Sequence, residues 1–193
     1  MMAKEGGPES MLTGLRQILE AVITKPAKFD IGTLSMPDIE YLFVQIRARS
    51  VQNIVELKYR DKEDKRVYDF EIDLDQLQMT FNDEHRETIE LDGSISIKLN
   101  EPTLNMMEKL NIAEGEIDST ENVYKLLYAC TDKVFDADEV YDDFTEEEFS
   151  TFIKSMDISM FSKLKDFFET GHKLIHELNY VNNNDYVVFQ SYK

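Results

Sequence analysis

The chain has no tryptophan, one cysteine and four prolines in 193 residues, and its 39 acidic side chains face only 21 basic ones. Each scarcity excludes something. A lone Cys130 permits no intrachain disulfide and fits a reducing compartment. Few prolines and seven glycines leave little composition for long disordered linkers. The shortage of Lys and Arg argues against a DNA or RNA binder, because phosphate affinity needs clustered cations, and equally against docking on anionic lipid. No apolar run approaches the roughly 20 residues of a membrane span. The opening "MMAKEGGPES" lacks an apolar core, so no signal peptide is expected. The phosphate-binding and nucleophile-elbow patterns G-x-x-x-x-G-K-[ST], G-x-G-x-x-G and G-x-S-x-G do not occur.

What remains is apolar and acidic. Apolar residues make up 42%, with 12 Phe and 9 Tyr, enough for a core in one domain of ordinary size. The net charge of −18 favours solubility and a partner with basic patches. That charge is uneven. Residues 1–66 hold 11 Lys and Arg against 10 Asp and Glu, whereas residues 67–193 hold 10 against 29.

Apolar spacing predicts a helix over 9–24, carrying Leu12, Leu15, Ile18, Leu19, Val22 and Ile23 and followed by Pro26. Ser35 and Asp38, with Pro37 between them, form a helix-start pattern. "NIVELKY" and "VYDFEIDL" alternate around a charged turn. Centring that turn on Glu63 and Asp64 pairs 59 with 68, 57 with 70 and 55 with 72, so both apolar sets share a face. In "TIELDGSISIKL", a two-residue Asp92-Gly93 turn would place the two strands' isoleucines on opposite faces. A three-residue loop, 92–94, pairs 91 with 95 and 89 with 97 and keeps one apolar face.

Further helices are expected from Pro102, from the cap at 118–120 with Val123, Leu126, Leu127, Cys130 and Val134 on one face, and from the Thr145/Glu148 capping box. A last helix, "ISMFSKLKDFFETG", turns Met160, Phe161, Leu164, Phe167 and Phe168 inward and stops at Gly171. Asparagines 182–184 suit the turn of a closing hairpin. The expected fold is α+β: helices packed on antiparallel β-hairpins in a single domain, with or without a C-terminal helix-and-hairpin subdomain. Along the chain this reads as a flexible N-terminus (1–9), a helix-hairpin part (10–112) and an acidic helical part with the closing hairpin (113–193).

No catalytic residue, metal ligand or cofactor is assigned. His172 and His176 lie four apart, but Glu177 falls outside the pair, where H-E-x-x-H chemistry needs it inside. Asp136, Asp138, Asp142 and Asp143 resemble a calcium loop, yet Tyr141 stands where an EF-hand requires glycine. Cys130 falls on an apolar helix face and reads as a small buried hydrophobe. No nucleophile, base and orienting group can be assembled, so an enzyme is not expected.

The segment "DIEYLFVQIRARS", 38–50, stands out. As a helix it sets Ile39, Leu42, Phe43 and Ile46 on one stripe, flanked by Arg47 and Arg49. Tyr41, Val44 and Ala48 form a second apolar face. A helix apolar on two sides is either buried between two layers or leaves one side for a partner. Tyr41, Val44, Ala48, Arg47 and Arg49 are therefore the candidate partner-binding residues.

This segment also carries a resemblance. "LRQILEAVI…FDIGTLSMPDIEYLFVQIRARSVQNIVEL" resembles the baseplate hub assembly proteins of T-even-type contractile-tailed phages, through Asp38, Leu42, Ile46, Arg47, Ala48 and Ser50 ahead of a hairpin. "SIKLNEPTLNMMEKL" and "FSKLKDFFETGHKLIHELNYV" are similar to later passages of that family. The resemblance implies a non-enzymatic assembly factor, or chaperone, without cofactors. Its implied partners are phage tail or baseplate hub proteins, the tape-measure protein among them, in the host cytoplasm during assembly or in the virion baseplate. The alternatives are a permanent structural baseplate subunit and an acidic mimic of nucleic acid.

Overall fold

The computed structural model describes residues 8–24, 28–112, 119–181 and 187–192. In chain order the regular elements are α1 (Pro8–Val22), α2 (Met36–Ser50), β1 (Ile54–Arg60), β2 (Val67–Asp73), β3 (Gln78–Thr80), β4 (Thr88–Glu90) and β5 (Ser96–Leu99). There follow α3 (Leu104–Leu110), α4 (Thr120–Cys130), β6 (Thr131–Phe135), β7 (Val140–Tyr141), α5 (Glu146–Lys154), α6 (Ile158–Thr170), β8 (Lys173–Val181) and β9 (Val187–Tyr192). All strand pairs among them are antiparallel. The fold is α+β.

The chain divides into two units. One holds the chain up to Met36 together with Asn82–Gly171; the other holds Pro37–Phe81 and the chain from His172. These units are not the sequential parts 10–112 and 113–193: each draws on two separate stretches of the chain. The closing hairpin joins the unit of the first hairpin because β8 pairs with β3, Met79 opposite Leu174. Such a pairing joins segments about ninety residues apart and leaves no local trace in the sequence.

In the first unit, β4, β5, β6 and β7 form a four-stranded sheet in that order. Its apolar side meets α4, α5 and α6 through Ile97, Leu99, Val123, Leu127, Phe149, Ile153, Leu164 and Phe167. The β4–β5 hairpin keeps the three-residue loop: Ile89 pairs Ile97, and the Leu91 N–H donates to the Ile95 carbonyl at 2.8 Å. Asp92 Oδ1 accepts from the N–H groups of Ser94 and Ile95, and Gly93 takes φ +82°. That left-handed position favours glycine, so the Asp-Gly pair serves a wider loop than its usual tight turn. Lys163 of α6 caps the same loop by donating to the carbonyls of Glu90 and Leu91.

The helix expected to reach Val134 stops at Cys130. Residues Thr131–Phe135 are instead β6, bonded to β5 and β7. Thr131, Val134 and Phe135 favour a pleated surface over a helix. A second apolar cluster holds Met107, Ile112, Leu126 and Cys130, with Leu12 of α1 against it. Along α1, Leu19 is buried, but Ile18 and Val22, expected inward, are exposed. Arg16 on the same helix donates from Nε and Nη2 to Glu108 at 2.8–3.2 Å and from Nη2 to Asn105 at 2.6 Å. Gly32 is needed beneath this network: a Cβ there would lie 1.9 Å from Asn105 Oδ1.

The second unit contains α2, the β1–β2 hairpin and the three-stranded sheet β3-β8-β9. The β1–β2 register is the expected one, with Val55↔Ile72, Leu57↔Phe70 and Tyr59↔Tyr68. Ile72, Leu74 and Leu178 form a buried core cluster here, with Val55, Leu57, Tyr59, Phe70 and Leu77 packed against it. Pro26 and the asparagine turn at 182–184 lie outside the described residues.

Candidate functional site

The side chains of α2 have clear positions. Ile39 is fully buried, and Leu42, Phe43 and Ile46 are half-buried. Val44 and Ala48 pack against Ile72, Leu74 and Leu178, the core of their own unit. Tyr41 is half-buried. Both apolar sides of the helix are thus wholly or partly covered, and for Val44 and Ala48 the cover is the chain's own hairpins. Arg47 and Arg49 are exposed on the last turn, where positive charge is favourable. Arg49 donates to the backbone oxygen of Gln45 at 3.0 Å and to its side-chain oxygen at 2.5 Å.

A concave site lies elsewhere, in the first unit. A cavity of about 350 Å³ is lined by Ile95, Val134, Asp136, Tyr141, Asp143, Phe144, Glu148, Phe149 and Phe152. That volume is at the lower end of the range for small-molecule sites. The floor is apolar. Phe149 is buried against Phe144 in a stacked pair, centroids 5.7 Å apart, and touches Tyr128 and Phe152 at 5.5 and 6.3 Å. Ile95 from β5's edge and Val134 of β6 complete it. A neighbouring depression along α5 shares Glu148 and Phe152 and adds Thr145, Glu147, Thr151 and Ser155.

The rim is acidic, and two of its carboxylates are fixed by the local chain. Asp136 Oδ1 accepts from the N–H groups of Asp138 and Glu139 at 2.9 and 2.8 Å, and its Oδ2 accepts from the Tyr141 hydroxyl at 3.0 Å. Those donors, led by the Asp138 N–H, hold the Asp136 carboxyl below the usual range. The same bond, with help from Glu139, pushes the Tyr141 phenol up to about 12. Glu148 closes the expected capping box: its carboxylate accepts from the Thr145 N–H, and the Glu148 N–H donates to the Thr145 hydroxyl. That arrangement, the Thr145 N–H first, lowers its pKa as well. Asp143 stands exposed beside them. Between Lys133 and Lys154 the sequence has eight acidic side chains and no Lys or Arg.

Sequence reasoning compared the acidic residues with a calcium loop and started a separate helix at the Thr145/Glu148 capping box. It missed that β6 and β7 bring the two together. The signal was present in Val134, Phe135, Val140 and Tyr141 flanking "DADE", a β-rich pair around a turn. His172 stacks on Phe81 at 5.8 Å with its Nε2 3.9 Å from Asp38, and His176 lies in β8. Among the described residues no three His, Cys, Asp or Glu side chains gather as a metal group. Cys130 is fully buried, and burial, with a smaller push from the charge of Glu101, raises its thiol to about 12, far from nucleophilic. Among the described residues no helix is long and apolar enough to cross a membrane.

The model of the T4 bacteriophage base plate protein family matches residues 1–191. No curated protein and no solved structure matches the chain.

Proposed function

This chain belongs to the T4 bacteriophage base plate protein family, and on that footing we propose that it works without catalysis, as an assembly factor that holds another tail protein while the baseplate hub is built. The observation that supports this best is the aromatic-floored, carboxylate-rimmed cavity of the first unit. Apolar concavities with charged rims are where proteins hold partners. A chain of net charge −18 stays soluble while it escorts a partner that would otherwise aggregate. Hub components and the long helical tape-measure protein are the partners this reading names, and the host cytoplasm is where the holding takes place.

A second reading is a subunit that stays in the particle. It is favoured by the family's own description as a base plate protein. Quantitative mass spectrometry of assembling baseplates and of mature particles separates the two. An assembly factor is present in the intermediates and depleted from mature particles. A fixed copy number in both would overturn the transient role and leave the structural one.

A further inference from the structure

We propose that the cavity between β6, β7 and α5 takes an apolar side chain carried on a Lys- or Arg-bearing extended segment of a second protein. This rests on the protein-holding role proposed above and names the chemistry of the partner. Three observations carry it. The floor is aromatic and aliphatic, with Phe149 buried and Phe144, Phe152, Ile95 and Val134 half-buried, so the group it accepts is apolar. The rim is anionic. Asp136 and Glu148 are held in place by backbone N–H groups, Asp143 is exposed next to them, and the sequence between Lys133 and Lys154 carries no Lys or Arg. Finally, β7 is the terminal strand of its sheet among the described residues, with Val140 and Tyr141 exposed at 56% and 43%.

Charge and shape together narrow the occupant. A neutral apolar segment would cover three carboxylates without a counter-charge, which desolvation disfavours. A purely cationic segment would leave the aromatic floor wet. An acidic segment is repelled outright. A segment with both characters fits, its cations on the rim and an apolar side chain on the floor. An edge strand offers backbone N–H and C=O groups to an extended chain, and alternate side chains of that chain then reach the cavity.

The test is fluorescence anisotropy of the full chain with a labelled synthetic peptide alternating leucine and lysine. Two control peptides replace its lysines by glutamine or its leucines by serine. The leucine-lysine peptide is expected to bind, and each control to bind about tenfold more weakly or worse. Asp143→Lys reverses one exposed rim charge, and Val134→Phe fills the floor without changing charge. Both are expected to weaken binding about tenfold, while Glu84→Lys, on an exposed turn away from the cavity, leaves it within about twofold. Equal weakening by Asp143→Lys and Glu84→Lys means attraction by net charge alone and overturns the proposal. So does unchanged binding in Asp143→Lys, which keeps the test decisive should Val134→Phe fail to fold. Light scattering is run alongside. A wild-type dimer that becomes a monomer in Asp143→Lys would make a second copy of the chain the occupant, and also overturns it. Should full-length tail proteins co-purify while the peptide fails to bind, this inference falls and the assembly role stands. Peptide binding without any tail-protein partner gives the converse.

Discussion

The hydroxyl of Tyr180 donates to Oδ2 of Asp61 at 2.5 Å across 119 residues of sequence. Asp61 is buried, and its Oδ1 accepts from the N–H groups of Glu63 and Asp64 in the β1–β2 turn. The Tyr180 ring packs on Tyr68, Phe70 and Tyr59 at 4.5 to 5.9 Å. One carboxylate therefore organises the turn of the first hairpin and fastens it to β8, inside one unit.

Asp61→Ala is expected to lower Tm by several degrees, and Asp61→Asn by less, since the amide oxygen still serves the turn. The Tyr180 bond, followed by the Asp64 N–H, lowers the Asp61 pKa in the folded chain. Its contribution is thus fully present above the ordinary carboxylate range and is lost as pH falls through the folded value. Thermal melts between pH 7 and pH 3 check this. The Tm gap between wild type and Asp61→Asn narrows toward acid.

Arg16 and Glu108 form a forked ion pair between α1 and α3, with side chains 20% and 27% exposed. Forked geometry and partial burial make it stronger than a surface pair. Glu108 is also the leading cause that raises the Arg16 pKa. A double-mutant cycle with Arg16→Ala and Glu108→Ala, read by urea unfolding, is expected to give a coupling of about 1 kcal/mol.

Val44 and Arg47 distinguish the two sides of α2. Val44→Asp places an unpaired charge on the Ile72, Leu74 and Leu178 cluster and is expected to destabilise by about 3 kcal/mol or more. Arg47→Ala removes an exposed side chain and is expected to stay within about 0.5 kcal/mol. Denaturant midpoints of the two variants give the comparison. A folded Val44→Asp with wild-type stability would show that this face is open.

The Tyr124 hydroxyl is buried and has no hydrogen-bond partner among the described residues. Its ring meets Phe149 edge-on at 6.0 Å. Tyr124→Phe keeps that contact and removes an unsatisfied donor, so a stabilisation of up to about 1 kcal/mol is expected in a thermal or urea melt.

The hairpins were legible because a period of two fixes register wherever one face is buried. The apolar parity of Val55, Leu57 and Tyr59 against Phe70 and Ile72 allowed one turn only, and the parity of Ile89 and Leu91 against Ile95 and Ile97 overruled the Asp-Gly preference. Caps were legible too, since Thr145 and Glu148 satisfy each other within four residues. The role of Gly171 was read only in part: it ends α6, but at φ −53°, without using the left-handed freedom for which glycine is chosen at such sites. What stayed hidden were contacts joined across long separations. β3 has three residues, too few for a pattern, and pairs with β8. The helical spacing of Val123 to Cys130 runs on to Val134, so the start of β6 was masked by a coincidence of period. The cavity depends on that strand, and was hidden with it.

The most direct measurement is affinity capture of the full chain co-expressed with the phage's hub and tape-measure proteins, at low salt, with each captured protein quantified. The expected result is one tail protein recovered in a fixed ratio to the chain, with recovery reduced in Asp143→Lys. A chain that elutes alone, correctly folded and with every candidate present in the lysate, would contradict the assembly role.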